Sequence, residues 1–237
     1  MEADDAVAHG LLEGRARGVA QVAGVSGTGG SAEWRRASPT VFESPFLDWF
    51  TRTHWLSPVL VLGPLASVLA VFGVRSAGWA AAGWAVAGYV AWTLAEYWIH
   101  RIAYHGSALA RFGGRTQWLV HGIHHDHPDD PRRPATPPLT ALPLLIAVVC
   151  AMWALGGTGP GLCAGAAFVA GSMSQELVHH HLHRGRPSTR LGRALRRHHL
   201  LHHYRDEGTR FGVTCPYWDY VFGTAGSRPG ARDDLGG

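Results

Sequence analysis

The sequence predicts an all-α integral membrane protein with four transmembrane helices in two hairpins, capped on one side by shorter cytosolic helices. Three observations predict it: 46% of the 237 residues are hydrophobic and only 16% charged, the apolar residues concentrate in four long segments, and the arginines avoid the connections within each hairpin. A charge content this low is unusual for a soluble domain.

In chain order, residues 1–38 are rich in Gly, Ala and Ser and lack the apolar run of a signal peptide, so they read as a disordered N-terminal tail. In "PTVFESPFLDWFTRTHW" the aromatics Phe42, Phe46, Trp49, Phe50 and Trp55 gather around Arg52. That mixture suits an interfacial helix at headgroup level. Apolar segments follow at about 55–74, 77–99, 138–155 and 159–178. Each approaches the about 20 residues that a helix needs to cross a bilayer. Gly and Ala are frequent in the second and fourth, which permits close helix approach. A flexible C-terminal tail, 225–237, closes the chain, leaving 39–224 as the membrane domain.

Twenty of the 21 arginines lie before the first segment, in the 100–137 loop or after residue 179, and the short turns hold only Arg75. By the positive-inside rule both termini and the 100–137 loop face the cytoplasm. A bacterial inner membrane is the expected location. Every basic residue is Arg, which carries no functional conclusion, and the net charge of +4 suits an anionic surface or an acidic protein partner. No basic run interleaved with aromatics appears, so nucleic acid is not an expected partner. Cys150, Cys163 and Cys215 are widely spaced and odd in number, which argues against a disulfide framework or a thiolate metal site.

The 16 histidines are the compositional outlier, and the topology places all their clusters at one membrane face. Two imidazoles share a helical face when three or four residues apart. His121, His124 and His125 satisfy that spacing, as do His199, His202 and His203, so HxxHH occurs twice; His179 and His183 are four apart. His100 and His105 are five apart and would diverge by roughly 140° on a continuous helix. The helix is therefore expected to end or bend near Ala103. Ten imidazoles are too many for one ion and suit two metals in one pocket, a dinuclear redox or hydrolytic centre.

The remaining histidines read differently. His9, His54 and His127 are expected to be solvated, and His180 and His181 point away from His179. His198 stands four before His202, but the HxxHH pattern favours His199. Glu96, Glu176 and Asp206 lie three or four residues from His100, His179 and His203, placed to accept the second ring N–H of each. Trp92, Trp98, Trp118 and Trp218 suit either the wall of an apolar slot or interface anchors.

"EYWIHRIAYH", "HGIHHDHPDDPRRPATPPL", "ELVHHHLHRGRP" and "HLLHHYRDEGTRFGVTCPYWDYVFGT" resemble the histidine boxes and tail of the fatty acid hydroxylase / sterol desaturase superfamily, particularly its fatty acid 2-hydroxylase branch. The resemblance runs from about Phe42 to Thr224. It implies a membrane-bound non-haem di-iron oxygenase that uses O2 to hydroxylate a C–H bond of a lipid acyl chain at C2. The metal ligands it implies are His100, His105, His121, His124, His125, His179, His183, His199, His202 and His203, which selects His199 over His198. Zinc could replace iron in purified protein. Gln175-Glu176 and Arg184 stand where the family has Tyr-Asp and a further His. Eukaryotic members often carry a fused haem-binding domain; the 38-residue tail is too short for one, so a separate ferredoxin-like or small cytochrome donor is expected. Arg193, Arg196 and Arg197 would face it.

Two alternatives remain at this stage. One is a sterol, carotenoid or head-group hydroxylase or desaturase of the same superfamily. The other is a membrane metal transporter or metal-binding protein, which would place ionisable ligands near mid-membrane, whereas Glu96 and Glu176 lie at the cytosolic ends of their segments.

Overall fold

The computed structural model describes residues 32–133 and 136–226, and the secondary structure of these residues is helical throughout. Five helices organise it: α1 (Ser57–Ala77), α2 (Ala81–Trp98), α3 (Pro138–Gly156), α4 (Pro160–Arg184) and α5 (Arg190–Tyr204). Proline in the first turn starts α1, α3 and α4, where a missing N–H costs nothing. Thr189 caps α5, its hydroxyl accepting the Gly192 N–H at 3.0 Å. The four long apolar segments are thus helices. Among the described residues, one apolar helical stretch, Ser57–Tyr104 (48 residues), is long and apolar enough to enter a membrane.

That stretch is folded back on itself. Gly78, at φ +57°, stops α1 after Ala77, later than the composition indicates, and α2 begins at Ala81 rather than at residue 77. Gly157, at φ +70°, turns α3 into α4. α4 packs along α1, α2 and α3 and is the central post of the fold. Its contacts depend on small residues. A Cβ on Gly73 would lie 2.6 Å from the Cys163 nitrogen, and one on Gly88 would press on the Ala164 carbonyl. The core joins Leu62, Trp92, Leu145, Val149, Phe168 and Val169, with Trp92 edge-on to Phe168 at 5.1 Å over Gly171. Trp92 is therefore a core residue.

Outside this core the helices carry exposed Leu60, Phe72, Trp84, Ile146 and Trp153, and at the far turns Trp79 (95% exposed) and Leu155 (90%). Exposed apolar side chains in this number mark a surface for a membrane or a protein partner.

Residues 1–31 of the expected N-terminal tail lie outside the described residues, as do 227–237 of the C-terminal one. The rest of the N-terminal tail is structured. Ala32–Arg36 is helical, the Trp34 carbonyl accepts a bond from His127 Nδ1 at 2.7 Å, and the Arg35 carbonyl accepts the Asp129 N–H at 3.0 Å. The next short helix, Pro45–Phe50, exposes Phe46 and Trp49 while Asp48 on its inner side accepts the Val41 N–H and the Arg52 guanidinium. Arg133 then ties this segment to the 126–133 loop, donating to Asp130, Thr51 and the Pro39 carbonyl.

Candidate metal centre

The helix ends at Tyr104, next to Ala103 as the spacing suggests, but it widens before it stops. Ile99–Tyr104 is a π turn, closed by the His105 N–H to the His100 carbonyl at 3.1 Å. An i to i+5 turn takes in one residue more than an α turn. Residues five apart then meet as residues four apart do in an α-helix, and the rings of His100 and His105 have centroids 5.0 Å apart. A second π turn, Trp118–Gly122, leads into the short helix Ile123–Asp126, and together they present His121, His124 and His125. α4 supplies His179 and His183 from its last two turns, and α5 supplies His199, His202 and His203.

The ten histidines converge as two groups of five able to hold metal ions. His100, His105, His121, His125 and His202 form one, and His124, His179, His183, His199 and His203 form the other. Neither HxxHH stretch is a single ligand face. Its i, i+4 pair enters one group and the remaining histidine the other, so each group consists of two spaced pairs plus one single imidazole. The groups abut where the His125 and His203 rings stack at 4.1 Å.

The donor atoms fit a cation. In the first group His121 Nε2 lies 3.1 Å from His100 Nε2 and 2.9 Å from His125 Nε2; in the second His199 Nε2 lies 2.8 Å from His183 Nε2 and 3.1 Å from His203 Nε2. One ring nitrogen cannot donate a single proton to two others. Two nitrogens each ~2.1 Å from one ion and at right angles to each other are ~3 Å apart, which is the spacing seen. His124 Nε2 and His179 Nε2 are buried with no protein hydrogen-bond partner among the described residues, lone pairs that suit a cation.

The electrostatics agree. Burial, reinforced by neighbouring imidazoles, holds the pKa values of His121, His124, His125, His199 and His203 well below the ordinary histidine value. Burial likewise lowers His100 to about 3 and His202 to about 4. All seven are neutral at pH 7, the form that binds metal.

Backbone carbonyls orient two of the rings: His100 Nδ1 donates to the Phe211 carbonyl at 2.6 Å and His202 Nδ1 to the Thr209 carbonyl at 2.7 Å. The expected carboxylates do not touch these histidines. Glu96 Oε1 accepts the Val213 and Thr214 N–H groups at 2.7 and 2.9 Å, and its other oxygen binds the Thr214 hydroxyl. Glu176 accepts the Thr136 N–H at 2.9 Å, and Asp206 turns back to the Gly208 N–H at 3.1 Å. Each carboxylate satisfies nearby backbone donors of an irregular segment, a demand that sequence spacing does not show. The acid beside a ring is Glu207, 3.3 Å from His125 Nδ1. Its place after a helix end left no spacing signal.

Replacing Glu96 by alanine would strand three donors at about 1–3 kcal/mol each, whereas glutamine keeps the oxygen that two of them use. Thermal unfolding in detergent should show a large drop for Glu96→Ala and a small one for Glu96→Gln.

Of the histidines expected to lie apart, His127 is buried against Trp34 rather than solvated, because the 32–36 helix covers it. His198 stays out of both groups and bonds Asp219 Oδ2 at 3.0 Å, His180 stacks on Trp55, and His54 is exposed; His9 lies outside the described residues. Trp118 and Trp218 use their indole N–H on Asp126 and Thr93, and Trp98 packs on Phe222.

A family model for fatty acid hydroxylases matches residues 85–224, which contain all ten histidines. The chain is 33% identical over 190 residues to the dihydroceramide fatty acyl 2-hydroxylase FAH2 of Arabidopsis thaliana, covering 78% of this chain and 79% of the relative. It is 31% identical over 190 residues to the ceramide very long chain fatty acid hydroxylase SCS7 of Saccharomyces cerevisiae, covering 76% of this chain but 47% of that longer protein. A solved structure of full-length scs7p, in which only the hydroxylase domain is visible, superposes with a TM-score of 0.74 at 28% identity, covering 80% of this chain and 72% of that one. With the family model spanning both histidine groups and a relative aligned over most of its length, the chain belongs to the fatty acid hydroxylase family and is an oxidoreductase that hydroxylates fatty acids.

Proposed function

We propose that the protein hydroxylates C2 of an acyl chain in a ceramide-type membrane lipid, using two non-haem irons held by the ten histidines, O2 as co-substrate and electrons from a separate donor. The observation that carries this reading is the pair of abutting five-imidazole groups. The names of the two relatives above supply the lipid class.

When bound, iron and O2 supply the oxidising power that an alkane C–H bond demands and that acid–base side chains lack. The protein's own residues do the rest. Neutral imidazoles offer lone pairs without carrying charge into a buried site, and the Phe211 and Thr209 carbonyls fix which nitrogen of His100 and His202 faces inward. Both groups sit where α2 and α4 end, beyond their apolar lengths. An acyl chain lying along these helices keeps its tail among apolar side chains and brings a carbon close to its polar head to the imidazoles. That depth favours C2 over a mid-chain carbon.

In this reading the four long helices cross the membrane as two hairpins, and the exposed apolar side chains of α1 to α3 meet lipid. The arginine distribution places both termini and the histidines in the cytoplasm, at a bacterial inner membrane. α5 turns His199, His202 and His203 inward while Arg190, Arg193 and Arg197 are exposed, a face suited to an acidic ferredoxin-like or cytochrome donor.

Lipid mass spectrometry of cells expressing the protein tests the reading. The expected product is a membrane lipid one oxygen heavier, with fragmentation placing it on C2 of the acyl chain, absent from cells expressing His124→Ala. Intact acyl chains beside an oxidised sterol, carotenoid or head group would reject it. Metal analysis of the purified chain should return two ions, iron when expressed with iron and zinc as the substitute.

A further inference from the structure

The two histidine groups are not equally braced. In the group of His100, His105, His121, His125 and His202, two Nδ1 atoms reach backbone carbonyls of the 205–224 segment, and His125 Nδ1 stands 3.3 Å from the Glu207 carboxylate. Phe211 from the same segment wedges its ring against His100, His105 and His202, with centroids 5.7, 5.7 and 5.8 Å away. In the other group the Nδ1 atoms of His183, His199 and His203 are buried with no protein hydrogen-bond partner among the described residues. In the first group two outward nitrogens are hydrogen-bonded to backbone carbonyls and a third, His125 Nδ1, has only the Glu207 carboxylate nearby; in the second, three have neither.

The brace on His100 converges on one residue. Asp219 is fully buried and takes four donors: the Phe211 N–H at 2.8 Å, the Gly212 N–H at 2.9 Å, the Thr224 hydroxyl at 2.8 Å and His198 Nε2 at 3.0 Å. The Phe211 peptide is thereby fixed, and its carbonyl is the one that accepts from His100. Arg210, at φ +63°, turns the chain between the two carbonyls that hold His202 and His100, its own N–H closing on the Thr224 carbonyl at 2.8 Å. The C-terminal segment thus works as a brace for one metal position.

Resting on the dimetal reading above, we propose that the two positions hold metal unequally: the group containing His100 and His202 retains its ion, the group containing His183, His199 and His203 releases its ion first, and Asp219 is the positioning residue behind the difference. A partner on the outward nitrogen fixes ring orientation and tautomer and raises ligand basicity, and its loss typically weakens metal binding 10–100-fold. Asp219 touches no metal-facing nitrogen. It reaches the His100 ring through the Phe211 carbonyl.

The experiment loads the full-length protein in detergent with zinc, which is redox-inert, and measures retained zinc per chain against rising EDTA. The wild type should lose its ions in two separated steps. His203→Ala should lack the early step and keep the late one; His202→Ala should do the reverse. Asp219→Asn should move the late step 10–100-fold toward weaker chelation and leave the early step in place, a selectivity that general loosening of the fold would not produce. Loss of both ions in a single wild-type step would overturn the proposal. So would a late step that survives in His202→Ala, or an Asp219→Asn protein whose late step is unmoved. If Asp219→Asn does not accumulate as folded protein, the two histidine variants still decide which group lets go first. A chain that binds no zinc at all removes the dimetal reading itself, an outcome distinct from two ions leaving together.

Discussion

Gly88→Leu is expected to eliminate folded protein. The Cβ alone would press on the carbonyl oxygen of Ala164 and stand 2.7 Å from its Cα and carbonyl carbon, and these are backbone atoms of the central helix that no rotamer change can move. Accommodation would force α2 off α4, separating Trp92 from Phe168 and Gly171. Overpacking in a yielding core costs about 1–3 kcal/mol, and a backbone-to-backbone clash lies at or beyond the top of that range. Gly83, five residues earlier on the same helix, supplies the control. A Cβ there meets nothing within 4 Å, so Gly83→Leu makes the same chemical change with no clash. Size-exclusion profiles and thermal midpoints in detergent should show Gly83→Leu near wild type and Gly88→Leu aggregated or absent. Equal behaviour of the two would remove Gly88 as the point of helix contact.

Acidifying the metal-free protein is expected to unfold it as its buried imidazoles take up protons. An unfolded chain protonates histidine near pH 6.5, but burial holds folded His100 at about 3 and His202 at about 4, with the other loop and α5 members of the groups also well below the ordinary value. Between those limits the unfolded state binds more protons, so stability falls as pH falls; above pH 6.5 both states are neutral there and nothing is lost. Each pH unit between the two values is worth ~1.4 kcal/mol, so His100 alone weighs several kcal/mol against a typical domain stability of ~5–15 kcal/mol. Denaturation midpoints of the metal-free protein should fall steeply between about pH 6 and about pH 5. A midpoint that is level across the whole range would contradict the buried, neutral state of these imidazoles. Bound metal should delay the fall, since protons must then compete with an ion.

The helices were legible because their apolar runs are long and three of them begin with prolines, and the ten histidines because eight of them obey three- and four-residue spacing. The end of the helix beside Ala103 was legible from the five-residue gap between His100 and His105; the π turn that brings their rings together was not, because α-helical periodicity carries no sign of it. The division into two groups was not legible either: His121, His124 and His125 share a face in sequence, and only in the fold does His124 meet His179 and His183 of α4 and His203 of α5. Glu96, Glu176 and Asp206 were matched to histidines by proximity along the chain. Their partners, Val213, Thr136 and Gly208, are backbone amides, and two of the three lie far away in sequence. His127 was read as solvated because nothing local indicated that Trp34, 93 residues earlier, would cover it.

The Ile99–Tyr104 turn also reconciles two surfaces of one helix. Upstream, Trp92 and Tyr97 must face Phe168 and Phe222; downstream, His100 and His105 must face the other imidazoles. Deleting one residue between the two histidines would restore their four-residue spacing and a standard turn. It would also rotate everything beyond it by about 100° relative to what came before. The extra residue is a phase setting: the helix indexes by one position so that its core packing and its histidine pocket, which follow different angular demands, are both served before it ends.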